Sequence, residues 1–411
     1  MKLPFFIAGR IAFNRERTFS RFIIRIAITA TALSVAVMIL TTALVNGFQR
    51  TVSSKVFGFW GHIHITRYQP YAGLLTEELP FEGGDSLKRA IREAPGIRSV
   101  DAYATKSAIL KATDEIEGVV FKGVGKDYHW KHLLPYMREG SVISYPDSGY
   151  SHQVILSDYL ARALKLKLHD PVIIYFIQKG EEAPRARKLV VSGIYKTSIE
   201  DYDKTYIIGD LNLLRRLNNW TPREVGGYEV MVDNYKEMDS VADALYAHVL
   251  PQNLTASTIH QIYPNIFDWL NLQNMNELII IIIMAVVAFI NMVTAMLILI
   301  LERTNMVGIL KSLGMRNWSL QKVFIYQAGY IVVTGLLIGN VIGLCLGWIQ
   351  KATGFLKLNE ATYYMPVVPI DFKWWQIVCI DLGTLLVCLL VLIIPSLIIR
   401  RISPVKAVQF R

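Results

Sequence analysis

The sequence predicts an α-helical membrane protein with four transmembrane helices and a large α+β extracytoplasmic domain inserted between the first and second spans. Three observations predict it. Four apolar runs are each long enough to cross a bilayer, the chain between the first two alternates short strand and helix patterns, and the excess positive charge lies beside the apolar runs.

The runs are 23–48, 278–301, 323–349 and 374–400, against the roughly 20 apolar residues that a spanning helix needs. The first holds Arg25 near its start, so its apolar part begins at Ile26. A cleaved signal peptide fits this run poorly. About twenty residues of basic sequence precede it, it exceeds the usual apolar core of a signal, and no small-residue cleavage site follows.

Charge gives the orientation. Residues 49–276 hold 26 Lys and Arg against 27 Asp and Glu, so the rest of the chain keeps 17 of the 43 basic and only 6 of the 33 acidic residues. Lys2, Arg10, Arg15, Arg17, Arg21 and Arg25 face a lone Glu16 at the N-terminus. Arg303, Lys311, Arg316 and Lys322 mark the loop after the second span, and Arg400, Arg401, Lys406 and Arg411 the end. The positive-inside bias puts all three on the cytoplasmic side, with both termini inside and the large domain outside. The net charge of +10 thus belongs to orienting loops, and no nucleic-acid partner is expected. The opening MKLPFFIAGRIAFNRERTF suits either an amphipathic helix in the cytoplasmic interface or a plain basic anchor.

Within the spans, Gly335, Gly339, Gly343 and Gly347 repeat every four residues, which places a smooth face on the third span for close helix packing. Asn291, Asn340 and Asp381 are polar residues deep in apolar sequence and should face neighbouring helices or a wet cavity. Asp381 could instead reach interfacial water near Trp374 and Trp375. Cys345, Cys379 and Cys388 all fall in apolar runs, so the outer domain folds without disulfides.

In that domain the strand candidates are 62–67, 119–123, 153–156, 171–177, 189–195, 205–208 and 228–232. Helix candidates are 86–93, 157–166, 211–217 and 238–249, with Ser157 as an N-cap. Between two strands lies FIQKGEEAPRARK, a charged loop that is either a projecting binding arm or a solvated hairpin end. His62 and His64 share one strand face and could seed a metal site. No acidic or Cys partners recur at ligand spacing, so exposed strand histidines are expected and no metal.

No G-x-x-x-x-G-K-S/T occurs, and Gly123-Val124-Gly125-Lys126 lacks the spacing and hydroxyl that cradle phosphate and magnesium. Neither H-E-x-x-H nor G-x-S-x-G is present, so no catalytic residue is expected in this chain.

After the second span comes Glu302-Arg303-Thr304-Asn305-Met306-Val307-Gly308-Ile309-Leu310-Lys311-Ser312-Leu313-Gly314-Met315. Met306, Ile309, Leu310 and Leu313 form an apolar stripe fit for a partner groove, and Gly314 closes the helix. This stretch resembles the coupling-helix signature of the FtsX/MacB-like superfamily of ABC permeases, as do Pro395-Ser396 and the ending Ser403-Pro404-Val405-Lys406-Ala407-Val408. Val45-Asn46-Gly47-Phe48-Gln49, with Phe267-Asp268-Trp269-Leu270 and Asn274-Met275-Asn276, is similar to the LolC/LolE lipoprotein-releasing permeases within it.

The resemblance implies a bacterial inner-membrane permease with no cofactor of its own, ATP and magnesium being bound by a partner ABC ATPase (LolD-like). A second permease copy or paralogue, membrane lipid, outer-membrane-destined lipoproteins and a periplasmic carrier (LolA-like) are the other implied partners. The implied division is 1–22 cytoplasmic amphipathic helix, 23–48 first span, 49–276 periplasmic domain, 277–301 second span, 302–322 cytoplasmic loop with coupling helix, 323–349 third span, 350–373 periplasmic loop, 374–400 fourth span and 401–411 tail. Implied site residues are Glu302, Arg303, Asn305, Met306, Ile309, Leu310, Leu313 and Gly314 for the ATPase. For the acyl chains they are Val45, Asn46, Phe48, Leu278, Ile282 and Met284, in a cavity between spans one and two. For the carrier they are Phe176, Gln178, Lys179, Pro184, Arg185 and Arg187, in a loop more compact and charged than the family's apolar hook. A MacB-like exporter of peptides or antibiotics and an FtsX-like signalling subunit acting on a cell-wall hydrolase are the rival readings.

Overall fold

A computed structural model describes residues 19–70, 77–112, 115–178 and 183–397. The N-terminal segment up to Thr18, Lys179 and the tail from residue 398 lie outside these. The chain forms two compact units. One comprises the chain up to Gln49 with Trp269–Lys357 and from Val367 onward; the other comprises Arg50–Asp268 with Leu358–Pro366.

Four helices are long and apolar enough to cross a membrane: Phe22–Trp60, Pro264–Glu302, Asn317–Thr353 and Trp374–Ser396. The first and second outrun their apolar stretches. Nothing stops the first helix before Gly61, whose φ of +74° ends it, because Val52, Val56, Phe59 and Trp60 are buried and hold its last turns. The second helix begins at Pro264, a residue pre-set for a first helical turn.

In the membrane unit the third span packs on the first through its glycines. A Cβ on Gly335 would stand 2.8 Å from the Thr31 Cβ, one on Gly339 2.6 Å from the Ala32 carbonyl oxygen, and one on Gly343 3.3 Å from the Ala36 Cα. Gly347 lies under the Phe372 ring. Side-chain volume is absent where the two backbones meet, the condition for tight packing in lipid. Asn340 Nδ2 donates to both carboxylate oxygens of Asp381, at 2.9 and 3.0 Å, so Asp381 is held by the third span. Asn291 is half-buried.

The α+β unit is built on a ten-stranded sheet. Its strands are β1 (Ile63–Arg67), β3 (Ile97–Lys111), β4 (Ile116–Val124), β5 (Met137–Gly140), β6 (Gln153–Ser157), β7 (Pro171–Phe176), β8 (Arg185–Tyr195), β9 (Tyr206–Asp210), β11 (Gly227–Val232) and β12 (Leu254–Thr258). The order is β12-β1-β11-β3-β4-β9-β6-β8-β5, with β7 pairing β3 and β8. A two-stranded sheet joins β2 (Phe81–Glu82) to β10 (Glu224–Val225). Helices form at Asp85–Glu93, Asp158–Ala163, Leu211–Leu217 and Met238–His248, and Ser157 Oγ caps the second by accepting from the Leu160 N–H at 3.0 Å.

The fifteen-residue β3 and the strand β12 were not among the strands read from sequence. β3 pairs with three strands, and its Asp101, Thr105 and Lys106 are buried polar residues that blur the alternation a half-exposed strand shows. The expectation of exposed histidines is also corrected: His62 and His64 are 8% and 7% exposed. His62 Nδ1 accepts from the Val232 N–H at 2.9 Å, and His64 Nε2 donates to the Trp60 carbonyl at 2.8 Å. Burial pushes both imidazoles down to about 4, so they serve as neutral hydrogen-bonding groups. Among the described residues no cluster of three or more His, Cys, Asp or Glu side chains could hold a metal.

Lys122, on β4, is a cation buried beside the end of the first helix. The Lys122 ammonium lies 2.7 Å from Glu229 Oε1, 4.3 Å from the Trp60 ring centre and donates to the Phe59 carbonyl. It therefore caps the Phe59 carbonyl, while His64 takes the Trp60 carbonyl, so side chains of β4 and β1 close the end of the first helix. The segment Leu358–Pro366 joins the same unit: Glu360 accepts from Lys196 Nζ at 2.6 Å, and Lys55 Nζ donates to the Tyr364 carbonyl at 2.6 Å.

Candidate functional site

The second span ends at Glu302, and a nine-residue helix, Thr304–Ser312, follows a break at Arg303. Thr304 Oγ1 donates back to the Leu301 carbonyl at 2.6 Å, tying the short helix to the span. Its far end closes in two bonds. The Met315 N–H reaches the Leu310 carbonyl and the Gly314 N–H the Lys311 carbonyl, each at 3.0 Å, with Gly314 at φ +86°. That pair is the Schellman arrangement, which needs a left-handed residue where Gly314 stands. Arg316 then starts the third span.

Burial divides this helix into two faces. Val307 and Gly308 are buried, and Met306, Leu310 and Met315 pack against the cluster that includes Leu299, Ile300, Leu320, Phe324 and Leu392. Ile309 is 54% exposed and Leu313 77%, with Glu302 and Asn305 exposed on the same side. The stripe read from sequence is thus split. Met306 and Leu310 are consumed by the bundle, because the closing turn carries Leu310 and Met315 inward together, while Ile309 and Leu313 project. Arg303 is half-buried at the break.

The six residues assigned to an acyl cavity differ in their surroundings. Val45, Asn46 and Phe48 are buried, Leu278 and Ile282 are exposed, and Met284 packs on the bundle core. Asn46 bridges Gln376 at 2.5 Å and Lys373 at 2.7 Å, and Phe48 meets Trp269 edge-on with ring centres 6.1 Å apart. Gly47 lets the Pro369 carbonyl approach its backbone, and Asp371 N–H donates to the Ala43 carbonyl at 2.9 Å. The Asn46-Gly47-Phe48 motif therefore fastens the first span to the segment entering the fourth.

The charged loop lies between β7 and β8, with Phe176 opposite Arg185 and residues 179–182 outside the described residues. Phe176 is fully buried against Phe121, and Gln178 and Arg185 both donate to the Leu217 carbonyl, at 3.4 and 2.6 Å. Arg187 donates to the neighbouring Ala186 carbonyl at 2.8 Å, and Pro184 sits just before β8. Three of the side chains expected to meet a carrier are thus tied into the domain. Residues that sequence reasoning missed are Met315, Lys373 and Gln376. The Gly-Met pair after the helix and the polar pair around Trp374 were their only signals.

Residues 26–247, more than half of the chain, match the MacB-like periplasmic core domain, and residues 278–404 match the FtsX-like permease C-terminal domain. The lipoprotein-releasing system transmembrane protein LolC of Neisseria meningitidis serogroup B is 24% identical, over 97% of this chain and 96% of that protein. LolE of Haemophilus influenzae is 20% identical over the whole of both chains, and LolC of Xylella fastidiosa (strain Temecula1) 21% over 97% and 96%. The chain belongs to the LolC/LolE family of FtsX/MacB-like permeases. As a LolC/LolE-family permease it is the membrane-spanning type of ABC transporter subunit, and its large domain is periplasmic. The periplasmic region of MacB from Actinobacillus actinomycetemcomitans superposes with a TM-score of 0.35 at 12% identity, covering 50% of this chain and 91% of that one.

Proposed function

We propose that this permease extracts lipoproteins from the inner membrane and passes them to a periplasmic carrier, driven by ATP hydrolysis in a separate subunit docked on the helix Thr304–Ser312. The observation that carries the reading is the outward face of that helix: two large apolar side chains, Ile309 and Leu313, stand on a capped helix joined directly to two spans. Such a pair costs free energy in water and fits a partner's apolar groove. The basic residues around it, Arg303, Lys311 and Arg316, support a cytoplasmic position for the face and for both termini. ATP and magnesium belong to the partner, and a second permease chain completes the membrane part.

An energy source is required by the substrate. Each buried methylene holds a lipid in the bilayer by about 0.8 kcal/mol, so pulling several acyl chains out is far uphill. Chain names of the relatives support the substrate, since LolC and LolE are named for a lipoprotein-releasing system. The test is reconstitution of the permease with its ATPase in proteoliposomes holding a lipoprotein, followed by addition of soluble carrier. The reading predicts ATP-dependent transfer of lipoprotein to the carrier, and no transfer in ATP's presence would overturn it. Depletion in cells separates the rivals, because only this reading predicts lipoprotein held back in the inner membrane.

A further inference from the structure

Gly383 differs from the packing glycines of the third span. A Cβ built on it meets nothing within 4 Å, whereas those on Gly335 and Gly339 would strike the first span. It opens on a cavity of about 310 Å³ walled by Met38 of the first span, Ile281 and Ala285 of the second, and Cys379 and Cys388 of the fourth. Cys388 is buried and Cys379 exposed, so the slot runs from the surface of the bundle inward. Its fourth-span lining residues, Cys379, Ile380, Gly383, Thr384, Val387 and Cys388, spread over about half of the helix circumference, so that side of the helix forms one wall of the slot.

We propose that this slot is a binding site for one fatty acyl chain. Trp374 and Trp375, both exposed, mark where the fourth span leaves the interface. Cys379 to Cys388 then lie roughly 7 to 21 Å further along the helix, at hydrocarbon depth, where acyl chains are the solvent. The walls are apolar but for Thr384, so water gains few partners inside, and apolar cavities of this kind take hydrocarbon. A glycine inside a helix costs up to about 1 kcal/mol against alanine. At Gly383 no neighbour demands that cost, and the space it leaves is what a chain would fill. None of Val45, Asn46, Phe48, Leu278, Ile282 and Met284 lines it. Only the source of the chain, lipoprotein or phospholipid, rests on the lipoprotein reading.

The test uses the full chain in nanodiscs containing phosphatidylethanolamine with a diazirine in one acyl chain. Photolabelling of the peptide holding Cys379–Cys388 is compared with that of Leu337 and Val341 on the exposed side of the third span. The slot predicts enrichment at Cys379–Cys388 that survives Gly383→Ala and falls about tenfold in Gly383→Phe, with third-span labelling unchanged. Equal labelling at both places, no change with Gly383→Phe, or cross-links to a second permease chain in place of lipid would overturn it. Adding a triacylated lipopeptide separates the sources: displacement of the label assigns the slot to lipoprotein chains, and its persistence to phospholipid. ATP-dependent transfer measured on the same samples keeps the two readings apart. Labelling without transfer removes the lipoprotein reading alone, and transfer with uniform labelling removes the slot alone.

Discussion

The backbone N–H of Met315 donates to the Leu310 carbonyl at 3.0 Å, and this bond closes the short helix between the second and third spans while aiming both side chains at the bundle. Gly314 makes it possible at φ +86°. Gly314→Ala should weaken the closing turn by about 1 kcal/mol, and Gly314→Asn by less, because Asn tolerates the left-handed region. Retention of the ATPase on immobilised permease checks this, with Gly314→Val the poorest of the three and Gly314→Asn nearest to the parent.

Gly339 and Gly383 make opposite predictions from the same substitution. Gly339→Ala puts a methyl 2.6 Å from the Ala32 carbonyl and should destabilise the membrane unit by about 1–3 kcal/mol. Gly383→Ala meets no neighbour and should stabilise it by about 0.5–1 kcal/mol. Thermal midpoints in detergent should therefore move in opposite directions, and a common direction would contradict the packing described.

Lys122 and Glu229 are a buried ion pair at 2.7 Å, 1% and 4% exposed at their side chains. Removing one partner strands the other. Lys122→Met should cost about 3–5 kcal/mol in periplasmic-domain stability, and adding Glu229→Leu should recover much of it. Chemical denaturation of the four members of this cycle measures the coupling. Purely additive losses would mean that the two groups act independently.

His62 and His64 set a pH dependence. Burial lowers both to about 4, below the unfolded value near 6.5, so the unfolded chain binds more protons between these limits. Their stabilising contribution is whole above pH 6.5 and is lost as the pH falls toward 4, by up to about 3 kcal/mol each. The urea midpoint of the domain should drop from pH 7.5 to 4.5, and less steeply in His62→Gln and His64→Gln variants that fold. An equal slope in those variants would assign the effect to other groups.

The membrane plan was legible because the bilayer imposes length and apolarity on each crossing, and four runs met both conditions. β7, whose burial alternates, and β6, a short apolar run, were legible for the same kind of reason. β3 was not, since a strand paired along several neighbours buries polar residues that only tertiary contacts satisfy. The helix Thr304–Ser312 was visible as a stripe, but periodicity marks which residues share a face and not which bury it. The bundle took Met306 and Leu310, and the closing turn decided that. Asn46-Gly47-Phe48 showed the converse: the motif stood out in the sequence, yet its work, fastening the first span to Gln376 and Lys373, depends on residues more than 300 positions away.

The two faces of the helix Thr304–Ser312 supply the most direct test. Ile309→Asp and Leu310→Asp are neighbouring, chemically identical changes, one on the projecting side and one against the bundle core. The measurement is the amount of ATPase retained by each permease after purification from membranes, normalised to folded permease. The account predicts that Ile309→Asp leaves permease recovery at the parental level and loses most of the ATPase, while Leu310→Asp lowers recovery of the permease itself. Full ATPase retention by Ile309→Asp would contradict the assignment of this face as the docking surface.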